Sequence, residues 1–453
     1  MSAADLIPMN RSEHMYLAGE GYIGFINIPF MIRFDGPVQA DQVRQTMRDV
    51  VSAIPRLRAV VEPKLFSYGL RILPDDGVVD QLFDDCWRVT AGVDPSSRAE
   101  LQAFHNAFIN EGLSLERGLP WRARFIPHAS QPALMFSIHH IVGDGRAMVL
   151  AVCALMARLN GQLIPPGKLD SPSMLPATMP LKWWHWPASI ARWWGNTRAD
   201  AREVEGLNIV TLARQHSTRF TTSAVHYYEP PCSAEVLKAR AKQLGTTVNT
   251  LLTAVLGNTF LALAPGDDKA VAALRISVDL RRYFPKGTAP DIGNYVSSFR
   301  VLARRQASLG EQIASLEAQI KAHIARYARR DNALPLLFYE LLPLLGRTLY
   351  SRLIIHSKLK GTLPTLSCHI STLGAADFIN PPKATVRLQE LWPTTISSVL
   401  LVGAVSLNDK QFLTIVHQND EIPREAVSDF IAELDRQFRT LMSASPEPVA
   451  VAA

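Results

Sequence analysis

The residues of this sequence best suited to chemistry are two adjacent histidines, His139 and His140, followed after three residues by Asp144 and Gly145. The histidines stand at the end of an apolar run, 133–138, which has the character of a buried strand. Histidine is the side chain that exchanges its proton most readily near neutral pH. Because polar side chains at the end of a buried strand are costly without a partner, the pattern indicates a site of acid–base chemistry.

Strand geometry divides the work between the two histidines. Successive side chains of a strand point to opposite faces, so one histidine can face a cavity while the other packs as a support. The pattern alone leaves open whether His139 or His140 is the working base. The alternatives are a hydrogen-bonded core turn and a metal site, although no further cluster of metal ligands is present in the sequence. A Ser-His-Asp hydrolase is disfavoured because the chain has no Gly-x-Ser-x-Gly elbow.

Asp144 is expected to hold the loop that follows the histidines. A buried carboxylate needs a partner, and Arg281 stands at the end of a mostly apolar strand in the second half of the chain, where its charge also needs one. We expect these two residues to form an ion pair that ties the halves together. Gly145 has no side chain, which leaves room for a ligand to approach the backbone.

Strands and helices alternate along the chain without an internal repeat, which predicts a mixed α/β fold. In the first half we predict strands at 23–34, 56–61, 70–73, 87–90, 121–126 and 133–138 and helices at 40–54, 98–110 and 146–159. In the second half we predict strands at 224–228, 272–278, 293–302, 365–371, 385–391, 397–405 and 411–416 and helices at 233–244, 248–263, 309–329 and 424–441. Pro29 suggests that the first strand is irregular or lies at an edge.

A proline-rich stretch, 161–189, marks the expected boundary between subdomains. We predict an N-terminal subdomain over 1–175, a C-terminal one over 176–445 and a flexible tail over 446–453. Five of the eight tryptophans lie between 183 and 194. We see two alternatives for these rings. They cover a hydrophobic seam or the acyl-binding region, or else they contact a membrane surface. The leucine-rich stretch 334–360 either packs under the sheet or attaches to a membrane surface, since its charges and prolines rule out a spanning helix.

Length and composition limit the classes of protein. With 453 residues the chain exceeds one ordinary core, which favours two domains or subdomains. The net charge of +6 is compatible with an anionic partner such as a phosphate-bearing cofactor or an acidic carrier; we expect no nucleic acid. The four cysteines are far apart in sequence, and no signal peptide is apparent. We therefore expect a cytoplasmic monomer with reduced thiols, no metal and no tightly bound cofactor.

The motif from His139 to Gly145 resembles the HHxxxDG signature of the chloramphenicol acetyltransferase-like superfamily of acyltransferases. That superfamily includes nonribosomal peptide condensation domains, plant-type alcohol acyltransferases, wax ester synthases and polyketide-associated acyltransferases. Other segments resemble the family pattern in the same order, namely Pro55-Arg56-Leu57-Arg58, Val278-Asp279-Leu280-Arg281, Gly293-Asn294-Tyr295-Val296 and Ser371-Thr372-Leu373-Gly374. The Asp-Phe-Gly-Trp-Gly motif of the plant enzymes is absent.

This resemblance implies two chloramphenicol acetyltransferase-like subdomains in a V-shaped pseudo-dimer with an active-site tunnel at their interface. It implies that His140 is the general base, that His139 is structural and that Asp144 pairs with Arg281. It also implies an acyl donor carried on phosphopantetheine, either CoA or an acyl carrier protein, and a small hydroxyl or amine acceptor. Ser371 or Thr372 would donate to the oxyanion or lie on the acceptor side, although relatives often carry asparagine in place of Thr372.

Three functional hypotheses follow. The first is an acyltransferase that uses a thioester donor, with ester formation favoured over amide formation. The second is a free-standing condensation enzyme that depends strictly on a carrier-bound donor. The third is a non-catalytic interaction protein that keeps the fold. A lipid enzyme with peripheral membrane contact is a further variant of the first.

Overall fold

The computed structural model describes residues 6–20, 24–65, 67–168, 172–215, 217, 221–331, 342–360 and 365–443. The tail 446–453 and the first part of the leucine-rich stretch, 334–341, lie outside these residues. The subdomain boundaries at 175 and 445 remain predictions.

The first half of the chain alternates strands and helices. Its elements are β1 (Leu6–Pro8), α1 (Arg11–Gly19), β2 (Asn27–Asp35), α2 (Ala40–Ala53), β3 (Ala59–Pro63), β4 (Tyr68–Ile72), α3 (Gly77–Cys86), β5 (Trp87–Val89), α4 (Arg98–Phe108), β6 (Trp121–Ile126), β7 (Ala133–His139) and α5 (Gly145–Leu159). Every residue of β7 is buried, which explains its continuous apolar sequence.

The second half repeats the alternation. Its elements are α6 (Leu175–Thr178), α7 (Trp186–Arg202), β8 (Asn208–Ile209), β9 (Ser223–Tyr228), α8 (Ala234–Gln243), α9 (Val248–Ala262), β10 (Ala270–Asp279), β11 (Val296–Arg304), α10 (Leu309–Ala328), α11 (Gly346–Leu359), β12 (Cys368–Ala375), β13 (Arg387–Pro393), β14 (Leu401–Leu407), β15 (Lys410–Gln418) and α12 (Arg424–Ser443). The mixed α/β prediction is therefore confirmed.

Two large sheets organise these elements, and one strand of the second half joins the sheet of the first. The first sheet has the order β13-β2-β7-β6-β5, so β13 pairs antiparallel with β2. The second has the order β11-β10-β12-β14-β15-β9, with β8 paired to β10. A small sheet, β1-β4-β3, stands beside them. The crossing of β13 means that the two halves share hydrogen-bonded structure as well as side-chain contacts.

Two local predictions are wrong, and one helix was not predicted. Pro29 does not mark an edge, because β2 lies between β13 and β7 and the Pro29 carbonyl accepts a hydrogen bond from the Thr394 amide at 3.1 Å. Arg56 lies in a 3₁₀ turn, Pro55–Arg58, before its strand begins. The sequence also did not predict α1. The buried face of this helix lacks an apolar period, because its buried residues include Arg11, Ser12, Glu13 and His14.

Three of the five rings in the tryptophan-rich segment do not cover a seam. Trp183, Trp184 and Trp194 are 71%, 56% and 51% exposed, which contradicts that alternative for these rings, while Trp186 and Trp193 are half-buried. The side chains of Lys182 and Arg198 lie over two of these rings. Among the described helices, none combines the length and the apolar character that crossing a bilayer requires.

Gly403 in β14 allows the end of β13 to approach the second sheet. A Cβ at this position would lie 2.8 Å from the Pro393 carbonyl oxygen and 2.5 Å from Oγ1 of Thr414. The Thr414 hydroxyl also donates a hydrogen bond to the Pro393 carbonyl. Since these neighbours include backbone, they cannot move aside cheaply, and the position has no room for a side chain.

We predict that Gly403→Ala lowers the free energy of unfolding by about 1–3 kcal/mol, because the added methyl group separates β13 from β14. The matched control is Gly195→Ala in α7, where a Cβ would meet nothing within 4 Å and the backbone does not have a positive φ. That change should leave stability equal or slightly higher. Denaturant unfolding of both variants measures the difference, and equal stabilities would contradict the packing argument.

Candidate functional site

Asp144 and Arg281 form the ion pair that the sequence predicted. Nη1 of Arg281 lies 2.8 Å from Oδ2 of Asp144, and the two side chains are 3% and 0% exposed. Asp144 also caps α5 by accepting a hydrogen bond from the Ala147 amide at 3.1 Å, and it accepts another from the Tyr295 amide at 2.9 Å. One carboxylate therefore fixes the start of α5, the turn after β10 and the residue that precedes β11.

Gly293 completes this junction with its carbonyl group. It accepts hydrogen bonds from Nη2 of Arg281 at 2.8 Å and from the Asp144 amide at 3.3 Å. Its backbone φ of +122° is one that residues with a side chain rarely adopt, and a Cβ at this position would lie 2.7 Å from the Tyr295 ring. A glycine is required here, because the turn brings its backbone against both members of the ion pair.

A second buried ion pair, which the sequence did not predict, holds the loop after the histidines. Nη1 of Arg56 lies 2.7 Å from Oε1 of Glu13, and the two side chains are 1% and 0% exposed. The same nitrogen donates to the carbonyl groups of Ile141 and Val142 at 3.3 and 3.1 Å. Burial raises the pKa of Glu13, while the Arg56 charge and hydrogen bonds oppose that rise.

The sequence contained one signal for Glu13 that could have been used. Asn10 and Glu13 have the spacing of a capping box, and both of its hydrogen bonds are present at the start of α1. This signal predicts a helix even where the apolar period is missing. It does not predict that the same carboxylate also pairs with Arg56, because that contact depends on how the chain folds.

His139 is fully buried and contacts the motif's own backbone. Its Nδ1 accepts a hydrogen bond from the Ile141 amide at 3.1 Å. Its Nε2 lies 3.4 Å from Oε1 of Glu20, close enough for an ion-pair contact but without hydrogen-bond geometry. These contacts fit the supporting role that strand alternation gives to one of the two histidines.

His140 points to the other side, into the space where the two halves meet. Its ring stacks on Tyr16 of α1, with centroids 4.2 Å apart and an angle of 6° between the planes. Its Nε2 lies 3.0 Å from Oγ1 of Thr395, and its Nδ1 lies 3.1 Å from Nδ2 of Asn294. The ring is therefore held on one face and at both nitrogens, by residues of both halves.

Burial keeps His140 neutral. It lowers the pKa of the ring from 6.5 to about 3, with a smaller contribution from His139. A backbone hydrogen bond with Gly143 acts in the opposite direction, and since it favours the protonated ring, its acceptor is the Gly143 carbonyl. A neutral imidazole can accept a proton, which is what a general base must do.

Two neutral tautomers of His140 are compatible with these neighbours. If Nδ1 accepts from the Asn294 amide, Nε2 carries the proton and donates to Thr395, whose hydroxyl donates in turn to the Asn27 carbonyl at 3.1 Å. If Nδ1 carries the proton instead, Nε2 has the free lone pair and accepts a hydrogen bond from the Thr395 hydroxyl. Only the second tautomer presents a base at Nε2.

The second sheet contributes a polar group beside His140 that the sequence analysis did not identify. Arg275 of β10 and His369 of β12 are paired in register. Nη2 of Arg275 lies 3.1 Å from Nδ1 of His369, whose Nε2 lies 2.8 Å from Oγ of Ser277. Burial lowers the pKa of His369 well below its ordinary value, and the charge of Arg275 and the proximity of His140 add to this.

A sequence signal for this group exists. Both strands alternate between polar and apolar residues, as Leu-Arg-Ile-Ser-Val over 274–278 and Cys-His-Ile-Ser over 368–371. Period-two alternation places Arg275, Ser277, His369 and Ser371 on one face of the sheet. The apolar residues between them face the helices, where they belong to the core of the second half.

The remaining predicted site residues lie at the end of β12 and the start of α5. Ser371 is in register with Gly403 and Thr372 with Ala404, and both side chains are half-buried. The space beside Gly145 is occupied in part by Leu373, because a Cβ on Gly145 would lie 3.2 Å from Cδ2 of that leucine. Their parts in oxyanion or ligand binding remain predictions. Within the described chain, no three His, Cys, Asp or Glu residues are grouped so as to hold a metal ion.

Comparisons with known proteins give a fold match over the whole chain and a weak sequence match over part of it. No family model matches the sequence. The polyketide synthase PksN of Bacillus subtilis (strain 168) is 26% identical over 147 residues, which is 32% of this chain but 2% of that protein. The match therefore covers about a third of this chain and a small part of that synthase.

Several solved structures share the architecture. The first condensation domain of the CDA synthetase has a TM-score of 0.70 at 14% identity, over 99% of this chain and 98% of that one. The trichothecene 15-O-acetyltransferase TRI3 from Fusarium sporotrichioides has a TM-score of 0.65 at 11% identity, over 98% and 96%. The condensation domain of the Monacolin K polyketide synthase MokA has 0.63 at 13%, over 96% and 98%. The predicted fold of two chloramphenicol acetyltransferase-like subdomains is thus confirmed.

We predict that Asp144→Asn lowers the free energy of unfolding by about 3–5 kcal/mol, because it leaves the buried guanidinium of Arg281 without its counter-charge. The matched control is Glu235→Gln, which breaks an ion pair with Lys238 whose side chains are both 72% exposed. That change should cost about 0–1 kcal/mol.

The double variant Asp144→Asn/Arg281→Met separates pairing from packing. It should recover part of the lost stability, because no unpaired charge then remains buried. Denaturant unfolding of Asp144→Asn, of Arg281→Met and of the double variant forms a double-mutant cycle with the native protein. Additive losses from the two single changes would contradict the pairing.

Proposed function

We propose that this protein is an acyltransferase that moves an acyl group from a phosphopantetheine thioester to a hydroxyl or amine acceptor. The observation that carries the proposal is the state of His140, which is neutral, oriented at both ring nitrogens and placed where the two halves meet. The sharing of a fold with condensation domains and with an acetyltransferase supports this chemistry.

The proposed reaction begins when the acceptor oxygen or nitrogen attacks the carbonyl carbon of the thioester. Nε2 of His140 removes the acceptor's proton as the new bond forms, and the carbonyl oxygen becomes an oxyanion. When this tetrahedral intermediate collapses, the carbon–sulfur bond breaks and the imidazolium returns the proton to the departing sulfur. This sequence conserves atoms and charge, and it uses the tautomer that has its proton on Nδ1 and a free lone pair on Nε2.

The neighbouring residues have positioning roles in this proposal. The Tyr16 ring stacks on the imidazole and orients it, and the Asp144–Arg281 pair keeps the motif loop against the second half. Thr395 occupies the position at Nε2 where an acceptor hydroxyl would bind. We assign the oxyanion donors to Ser371 or Thr372, which lie on the strand that continues from His369.

The donor and the acceptor define two versions of the proposal. CoA or an acyl carrier protein supplies the thioester in the first, and a carrier protein alone supplies it in a condensation enzyme. The similarity to PksN and to condensation domains favours a carrier-bound donor, while the acetyltransferase neighbour favours ester formation on a hydroxyl. Presenting the purified protein with CoA-bound and carrier-bound forms of the same acyl group, and measuring the products by mass spectrometry, separates the two. A non-catalytic role would be supported if neither donor is consumed.

We predict that His140→Gln reduces the rate of acyl transfer by about 10²–10⁴-fold, the typical contribution of a positioned base. Glutamine can still hydrogen-bond to Thr395, so the variant tests proton transfer and not the loss of the whole side chain. His185→Gln, the same substitution at an exposed histidine, is the control and should retain full activity. Single-turnover acyl transfer with thermal unfolding measured in parallel gives the comparison. A folded His140→Gln variant with native activity would rule out His140 as the base.

The pH dependence of acyl transfer provides an independent prediction. The base works only when His140 is neutral, so activity is lost as the pH falls through the pKa of the ring. An ordinary histidine would lose activity around its pKa of 6.5, whereas burial places the pKa of His140 at about 3. We therefore expect kcat/KM to stay constant from about pH 7 to about pH 5. An acid limb centred near pH 6.5 in the native protein would contradict this assignment.

A further inference from the structure

Arg275 is a cation on the inner face of the second sheet that lacks an anionic partner. Its Nη2 contacts Nδ1 of His369 at 3.1 Å and Oγ of Ser397 at 3.4 Å. Its Nε is buried without a hydrogen bond. Among the residues that the structure describes, no carboxylate lies within ion-pair distance of this guanidinium. A guanidinium has five donors in a planar fork, so most of its hydrogen-bonding capacity is unused.

The other arginines at this junction are paired. Arg56 has Glu13 and Arg281 has Asp144, each within 2.8 Å. Removing a charge from water without a counter-charge costs several kcal/mol. Arg275 differs from both residues because the described part of the chain gives it only neutral partners.

The groups around Arg275 do not supply the missing negative charge. His369 is neutral, since burial and the charge of Arg275 itself lower its pKa. Tyr16 also interacts electrostatically with Arg275, but burial raises its pKa, which keeps the phenol protonated. His140, which stacks on Tyr16, is neutral as well. Arg275 therefore carries a charge next to Tyr16 and His369, the first of which stacks on the proposed base, and it is partly accessible, unlike Arg56 and Arg281.

We propose that Arg275 binds a carboxylate on one of the substrates, so that the protein is selective for an anionic acyl chain or an anionic acceptor. This inference rests on the proposed acyl transfer and specifies its substrate class. The planar fork of an arginine matches the geometry of a carboxylate, and among the described residues Nη2 has only the neutral partners His369 and Ser397. The substrate would then supply the counter-charge that the chain lacks.

Arg275 can be distinguished from a group that stabilises the reaction itself. A residue that stabilises the oxyanion affects every substrate, because the oxyanion forms in every turnover. A residue that binds a substrate carboxylate affects only the substrates that carry one. Matched substrates with and without the carboxylate therefore separate these two roles.

The test compares the native protein with Arg275→Met on three pairs of substrates. Adipoyl-CoA against hexanoyl-CoA places the carboxylate on the donor, while glycolate against glycolamide and glycine against glycinamide place it on the acceptor. We expect the native protein to prefer the carboxylate in either the donor pair or the acceptor pairs by about 10- to 100-fold in kcat/KM, and Arg275→Met to lose that preference. A preference in the donor pair means that the acyl chain carries the carboxylate, and a preference in the acceptor pairs means that the acceptor carries it.

The matched control is Arg300→Met. Arg300 lies directly opposite Arg275 in β11, but its Nη2 donates to the backbone carbonyl of Asp200 at 2.6 Å. The Arg300→Met variant should keep the native preference for the substrate that carries a carboxylate. Equal losses for both members of a pair in Arg275→Met, or the absence of any preference in the native protein, would overturn the proposal.

A binding measurement keeps this inference separate from the proposed reaction. Isothermal titration of adipate, with adipamide as its neutral counterpart, requires no turnover. Binding of adipate that Arg275→Met abolishes and Arg300→Met retains would support the anion site even if no thioester is consumed, in which case the proposed acyl transfer alone would fail. Adipate binding that is equal in all three proteins would overturn the anion site while leaving acyl transfer intact.

Discussion

The ion pair between Asp144 and Arg281 is the constraint on which the rest of the site depends. The Asp144 carboxylate caps α5, accepts the Tyr295 amide and binds a guanidinium from the second half, all without exposure to water. Arg56 and Glu13 fix the same loop from the opposite side through its carbonyl groups. A buried charge is tolerated only when its partner is in place, so these two pairs link correct assembly of the halves to the position of the motif loop. The site exists only when the halves have docked.

This constraint explains how a histidine at the end of a strand comes to have one orientation. The loop held by the two ion pairs continues from β7, whose alternation sends His139 into the first half and His140 toward the second. The second half then supplies Asn294 and Thr395, which contact the two ring nitrogens of His140. Burial also removes the option of a charged ring, since it lowers the pKa to about 3. The orientation of His140 and its neutral state therefore have the same cause, which is the burial of its ring between the two halves.

The sequence predicted those features that depend on local pattern. The sequence predicts β7 and the alternation of strands and helices, because the spacing of apolar residues is visible in it. It predicts the Asp144–Arg281 pair because each of these charges stands alone beside an apolar strand. It did not predict α1, because the buried face of that helix is polar and its apolar period is absent. Thr395 and Glu13 were also missed. Their partners, His140 and Arg56, are distant in the chain, and neither contact has a sequence signal. The crossing of β13 into the first sheet was likewise hidden, since it depends on topology alone.

The charges of the site show how the two proposals fit together. A base that must be neutral gains from a nearby arginine, because a positive charge opposes protonation of an adjacent imidazole. That effect is present for His369, which Arg275 contacts directly. Once an anionic substrate binds, the charge of Arg275 is balanced, and its effect on the pKa of His369 weakens. An unpaired arginine in the resting protein is then compatible with catalysis, whereas one already paired with a protein carboxylate could not respond to the substrate.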